Sequence, residues 1–180
     1  AMKLTETTPV VFSAITDPVA AGIVEALDKT DKNITGTSDA VQVDQIIDLA
    51  LTISPDAKTV GYIYNPGEDN SVATLAKLED YAKEVVLTVE TVGIMSGTEL
   101  QAAASTLCQS VDFIFVSNDN TVAESMPVLA NEAIANGICV YTGADSMVLD
   151  GGFATVGIDY TDLGKETANM VDRILKGTEV

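Results

Sequence analysis

Histidine and tryptophan are both missing from this chain, and basic residues are scarce. Only 9 lysines and arginines stand against 27 aspartates and glutamates, giving a net charge of −18. Without histidine, the commonest general base and metal ligand is gone. Charge of this sign excludes nucleic acid as a partner, because phosphates demand a basic footprint. It argues against an anionic membrane surface for the same reason. The plain reading of the acidity is a surface that keeps a secreted or abundant protein in solution. No apolar run approaches the roughly 18 residues of a spanning helix. The N-terminus, AMKLTETTPVVF, carries no charged-then-apolar leader, and Ala1-Met2 reads as a tag scar placed before a native start. Cys108 and Cys139 lack metal-ligand spacing and are expected to be buried free thiols. Nucleotide-binding loops and the nucleophile elbow G-x-S-x-G are absent as well.

What the chain does have is 47% hydrophobic residues and 13 glycines in 180 positions, enough for one α/β domain or a little more with an ordinary core. One pattern occurs four times: a short apolar run, a tip of small polar and acidic residues, then a helix-like segment. The copies are VVFSAITDPV (10–19), VGYIYNPGEDNSV (60–72), DFIFVSNDNTV (112–122) and ICVYTGADSMV (138–148). The apolar part suits a strand buried in a parallel sheet, and the tip falls where the strand's carboxyl end meets a helix start. In open α/β sheets that edge is where ligands bind. The tips hold Thr16, Asp17, Asn70, Ser71, Asp119, Asn120, Thr121, Asp145 and Ser146, with no basic residue among them. Such a set suits hydrogen bonding to a small polar molecule.

Asp17-Pro18 reads as an N-cap with proline at the first helical position, opening a helix with Val19, Ile23, Ala26 and Leu27 that ends near Lys29. A short strand (33–39) follows, then a helix over about 40–53 with Val43, Ile46, Ile47, Ala50 and Ile53 facing inward. Strand 59–64 leads to a helix carrying Val72, Leu75, Leu78 and Ala82. Strand 86–93 leads to a capping box, Ser96 to Glu99, and strand 112–116 to a second box, Thr121 to Glu124. The helix after it carries Val122, Met126, Leu129, Ala133 and Ile134, and Asn136-Gly137 ends it in the left-handed manner. Strand 138–142 and a fifth strand, FATVGI, precede a last helix opened by Asp159 with Leu163, Ala168, Val171, Ile174 and Leu175 as its apolar face.

Alternating β-α units require a parallel sheet with helices on both faces. Residues 59–176 therefore form a doubly wound five-stranded α/β sheet in the order 2-1-3-4-5. Its topological switch lies between the strands ending at Tyr64 and Val116. Residues 3–38 are too few to bury a core of their own. Capping alone would explain Asp17, which otherwise stands beside Thr16 on a ligand-facing tip; Ser71 is either an ordinary cap or, with Asn70, faces a ligand from a loop longer than its connection needs, and Thr121 reads as a cap. Asp119 is harder to explain, because a carboxylate at a crowded strand end needs a cation or donors, and a ligand ammonium would serve. Asp145-Ser146 is a weaker version of the same arrangement. Tyr62, Tyr64, Tyr141, Met126 and Met147 read as packing residues.

The stretches VVFSAITDPVAAGIV, NITGTSD, VGYIYNPGEDNSV, FVSNDNTV and FATVGIDYTDLGKETANMVDRILKG resemble, in that order, the substrate-binding proteins of ABC transporters. The resemblance covers essentially the whole chain. It points to the type I periplasmic-binding fold, in the branch associated with tryptophan and other aromatic amino acids. It implies two Rossmann-like lobes with ligand trapped between them. Residues 1–38 would be a remnant of the first lobe and hinge crossover, and 39–180 the second lobe. It further implies capture of a small zwitterion without chemistry, no cofactor or metal, an ABC permease as partner, and an extracytoplasmic protein, free or lipid-anchored. Thr16 would bond the ligand carboxylate, and a carboxylate such as Asp119 its ammonium. Against the family pattern the chain looks truncated, and exposed hinge strands and apolar surface lead to an expectation of self-association into a homo-oligomer. A different polar ligand, such as a sugar or nucleoside, and a magnesium-dependent carboxylate enzyme are the alternatives.

Overall fold

A computed structural model describes residues 5–28 and 33–178. The chain forms two compact units, one of residues 1–40 with 158–180 and one of residues 41–157. The C-terminal helix thus groups with the N-terminal segment, whereas the sequence reading places it with the second lobe. Ala1-Met2 and the helix end near Lys29 lie outside the described residues.

In the first unit, β1 (Val10–Phe12) and β2 (Ile34–Gly36) pair in parallel. Gly36 lies opposite Phe12, where a Cβ would overlap the Phe12 carbonyl oxygen and ring, so only glycine lets this pair close. The helix expected after Asp17 does not form. Asp17 does cap a turn, its Oδ1 accepting from the Ala20 amide at 2.9 Å. One turn later Gly22 adopts a left-handed φ of 66°. Gly22 N–H then bonds Val19 O and Ile23 N–H bonds Pro18 O, each at 2.9 Å. That pair of bonds is how helices end, so the expected cap forms and the chain stops winding one turn after it.

The second unit starts with α1 (Val43–Ile53), whose Val43, Ile46, Ile47 and Ala50 are buried. Ile53, expected inward, is 47% exposed because it lies in the last turn. The elements β3 (Thr59–Tyr64), α2 (Asp69–Glu84), β4 (Thr88–Gly93), α3 (Leu100–Leu107), β5 (Phe113–Val116), α4 (Asn120–Ala123), α5 (Met126–Asn136), β6 (Cys139–Thr142) and α6 (Asp145–Leu149) follow. Every pairing is parallel, in the sheet order β4-β3-β5-β6. The expected fifth strand is reduced to one isolated parallel bridge, Tyr141 to Ala154.

All four residues of β5 are buried, as a strand covered on both faces requires. On one face Val60, Tyr62, Phe113, Phe115 and Tyr141 pack with α1 and α2 through Ile46, Ile47, Leu78 and Ala82. On the other, Gly61 lies against α3, where a Cβ would come within 2.5 Å of Leu107. Two further apolar assignments in this unit are corrected. Val72 is 44% exposed and Ile134 71% exposed, and the buried face of α2 begins with Ser71 and Thr74 instead. The two capping boxes do not close either. Glu99 accepts from Met95 N–H at 3.1 Å after a 3-10 turn at Gly97–Glu99, and Asp119, not Thr121, caps α4. Gly137 does end α5 with φ 72°, as expected.

The first unit is completed by α7 (Tyr160–Leu175), with Asp159 accepting from Thr161 N–H at 2.8 Å and Asp162 N–H at 3.0 Å. The Thr167 hydroxyl lies 3.0 Å from that of Ser13 and 2.8 Å from that of Thr37. Asp39 accepts from Thr16 at 2.8 Å and from Tyr160 at 2.9 Å. These bonds hold the helix to the N-terminal strands. No residue of α7 is fully buried, and Val171 and Leu175 of its expected apolar face are 39% and 81% exposed. No helix among the described residues is long and apolar enough to cross a membrane.

The junction between α2 and β4 carries a local strain. Leu87 N–H bonds Ala82 O at 2.8 Å, so Val86 occupies the left-handed position that normally falls to glycine, with φ 59° and 85% exposure. A β-branched residue is unfavourable there. Val86→Gly is expected to raise unfolding stability by about 1 kcal/mol in urea titrations, relief of strain outweighing the added chain entropy. A loss of stability would show that Val86 is not strained.

Candidate functional site

The carboxyl ends of β3 and β5 are neighbours in the sheet, and the chain leaves them for opposite flanks, β4 and β6. This is the topological switch of the second unit. The two tips there are not independent loops. Asp119, with no exposed surface, ties them together. Its Oδ2 accepts from Asn65 N–H and from the Ser71 hydroxyl, both at 2.7 Å, and its Oδ1 accepts from Val122 N–H at 3.0 Å. Beneath it, the buried Tyr62 hydroxyl donates to Ser71 O and contacts the Ser117 hydroxyl, each at 2.9 Å. Burial is the main cause that drives the Tyr62 phenol above its ordinary range.

Two further residues, not singled out from sequence, complete the junction. Asn65 accepts from Gly67 N–H at 2.8 Å with its carbonyl and donates its amide to the Thr121 hydroxyl at 2.9 Å. Glu68 spans the gap from the β3 tip. Its Oε2 accepts from Asn120 N–H at 3.0 Å and Asn120 Nδ2 at 2.8 Å, and its Oε1 from Thr121 N–H at 3.1 Å and Thr121 Oγ1 at 3.0 Å. Burial pushes the Glu68 carboxyl up, but these four donors outweigh it, so its pKa lies below the usual glutamate value. The ionised form therefore stabilises the fold above the unfolded-state pKa, and that contribution is lost as pH falls through the lowered folded value. Glu68 stands in the NPGEDNS loop, but nothing local marks a partner 52 residues away.

The structure brings Asn70, Ser71, Asp119, Asn120 and Thr121 together. Asn70 Nδ2 donates to Asn118 O at 3.1 Å, a second stitch between the tips. Ser71 and Asp119 are buried, Asn70 and Thr121 are half-buried, and Asn120 is exposed. The cation expected beside Asp119 is replaced by three donors from the chain itself. Asp145 and Ser146 belong to the adjoining β6 tip, half-buried and exposed respectively, with Asp145 Oδ1 accepting from Ser146 N–H at 2.7 Å. That tip lies directly against the β5 tip, because a Cβ on Gly143 would stand 3.0 Å from Asn118 N. Thr16 and Asp17 are in the first unit, bonded as described above.

Every partner of Asp119 and Glu68 is a neutral donor, so the tips carry two carboxylates with no basic residue bonded to them. No group of three or more metal-ligating side chains occurs among the described residues. Recesses among the described residues lie elsewhere, among them one of ≈ 440 Å³ around Phe12, Val24 and Ile34, one of ≈ 410 Å³ around Ala133, Cys139 and Phe153 and one of ≈ 460 Å³ around Thr98, Ser105 and Glu132. Both cysteines are free; Cys108 is buried, but Cys139, expected buried, is only half-buried at the start of β6.

The family model for ABC transporter substrate binding proteins matches residues 1–180. A tyrosine-binding protein of Clostridioides difficile (strain R20291) is 36% identical over 180 residues, covering 100% of this chain and 52% of the relative. The chain thus spans about half the length of that curated relative. The crystal structure of an ABC domain from Streptococcus pneumonia in complex with L-Trp superposes with a TM-score of 0.88 at 36% identity, over 99% of this chain and 62% of that one. A LacI family transcriptional regulator from Bifidobacterium animalis shares the fold alone, with a TM-score of 0.62 at 13% identity over 95% of this chain and 70% of its own.

Asp119→Ala would leave a buried amide, a half-buried amide and a buried hydroxyl without an acceptor. It is expected to cost roughly 2–4 kcal/mol in chemical denaturation. Asp119→Asn, which turns one acceptor into a donor facing a donor, should recover only part of that. A variant within 0.5 kcal/mol of the parent, by the same measurement, would show that the junction is not what holds the tips.

Proposed function

Because this chain belongs to the family of ABC transporter substrate-binding proteins, with the α/β fold of type I periplasmic-binding proteins, we propose that it binds an aromatic amino acid without chemical change, for delivery to an ABC permease. The observation that carries this reading is the switch-point rim of the second unit. Asp119, Glu68 and Asn65 hold two strand tips in one rigid arrangement, in which Asn120 is exposed and Asn70 and Thr121 are half-buried. Rigid donors and acceptors on a fixed scaffold select a small polar ligand, because little side-chain ordering is left to oppose binding. The ligand class follows from the relatives, one named for tyrosine and one solved with L-Trp.

On this reading Asn70, Asn120 and Thr121 contact the zwitterion directly, with Asp145 and Ser146 beside them on the next tip. Ser71 and Asp119 act from beneath as supports. An extracytoplasmic site of action, with the protein free or lipid-anchored, is part of the same proposal.

A thermal-shift screen of the twenty amino acids, common sugars, nucleosides and magnesium tests it. Tyrosine, tryptophan or phenylalanine is expected to raise the melting temperature, by the equivalent of about 2.7 kcal/mol at a ligand concentration of 100 Kd. Asn70→Ala should weaken that ligand about tenfold in calorimetric titration, as loss of one hydrogen bond of about 1.4 kcal/mol implies. Stabilisation by a sugar, a nucleoside or magnesium alone would overturn the reading.

A further inference from the structure

We infer that Glu68 is a positioning residue for ligand recognition, one that orients Asn120 and Thr121 and biases the rim toward a cationic group; the inference rests on the proposed function. Glu68 stands at the N-cap of α2, with extended backbone (φ −102°, ψ 110°), yet its side chain makes no cap bond to its own helix. The carboxylate instead reaches the first turn of α4, each oxygen taking one backbone amide and one side chain. A capping role alone would leave those side-chain bonds unexplained.

The bonds dictate which atoms remain for a ligand. Asn120 commits one amide hydrogen to Glu68, so its carbonyl oxygen and second amide hydrogen are turned away from that bond. Thr121 donates its hydroxyl hydrogen to Glu68 and accepts from Asn65, so what it retains is acceptor capacity. Thr121 thus keeps an acceptor alone and Asn120 an acceptor beside one donor, and the two acceptors suit an ammonium. The charge acts in the same direction. All four partners of Glu68 and all three of Asp119 are neutral, so neither anion is paired by a fixed cation in this network. At the short range of a strand tip such charge is only partly screened.

The test compares L-tryptophan with indole-3-propionate, the same molecule without its ammonium, by calorimetric titration of the full chain. The parent should prefer L-tryptophan. Glu68→Gln, nearly isosteric but neutral, should cut that preference at least tenfold, chiefly by weakening L-tryptophan. Glu68→Asp, charged but too short to reach both residues, should weaken both ligands by a similar factor. Glu84→Gln, which removes a charge at the far end of α2, should leave the preference unchanged. If Glu68→Gln weakens both ligands equally, or neither, the positioning and charge role is refuted while amino-acid binding stands. A parent chain that binds L-tryptophan no better than indole-3-propionate refutes the inference directly. One that binds no aromatic amino acid takes the proposed function down with it.

Discussion

The second unit depends on one buried carboxylate meeting three donors from two different strand tips. Asp119 has no exposed surface and no cation, so its charge is tolerable only because Asn65, Ser71 and Val122 all donate to it. Remove any donor and an anion is left partly unsatisfied in the interior. Remove the anion and the donors are orphaned. This mutual requirement allows only one arrangement of the β3 and β5 tips.

Around that junction the arrangement is layered. Tyr62 and Ser117 support Ser71 from below, and Asn65 and Glu68 clamp the start of α4 from the side. The four-residue helix α4 has little intrinsic stability, and its position comes from these bonds. Its first two residues can therefore serve as fixed recognition groups although they stand at a loop end. A set of tips held only by chain stiffness would have to be ordered by each ligand in turn, at a cost in affinity.

The same logic separates residues that look alike in sequence. Asp119 and Asp145 both follow apolar strands and both stand at helix starts. Asp119 is enclosed because β5 lies between β3 and β6, with tips on either side, and Asp145 follows β6, flanked in the sheet by β5 and a single bridge. Position across the sheet, not the local motif, decides which aspartate is enclosed and which is only half-buried. The edge position of β6 also explains why the fifth strand is only nominal, since Ala154 supplies one bridge where a full strand was expected.

Strand existence, helix partners, the parallel pairing and the location of the switch were legible because apolar runs and capping residues act locally along the chain. The cap at Asp159, the left-handed stop at Gly137 and the clustering of Asn70, Ser71, Asp119, Asn120 and Thr121 all followed from that. Local signals failed where two of them competed within one turn. Gly22 stopped after one turn the helix that Asp17-Pro18 signals, and Asp119 capped α4 two residues before Thr121. The sequence by itself determined which residues reach the carboxyl edge of the sheet, since strand periodicity and turn chemistry need no distant partner. Only the tertiary structure decided which of them are buried as supports and which keep exposed surface at the rim. The bonds that make this choice, such as those from Glu68 to Asn120 and Thr121, join residues more than fifty positions apart.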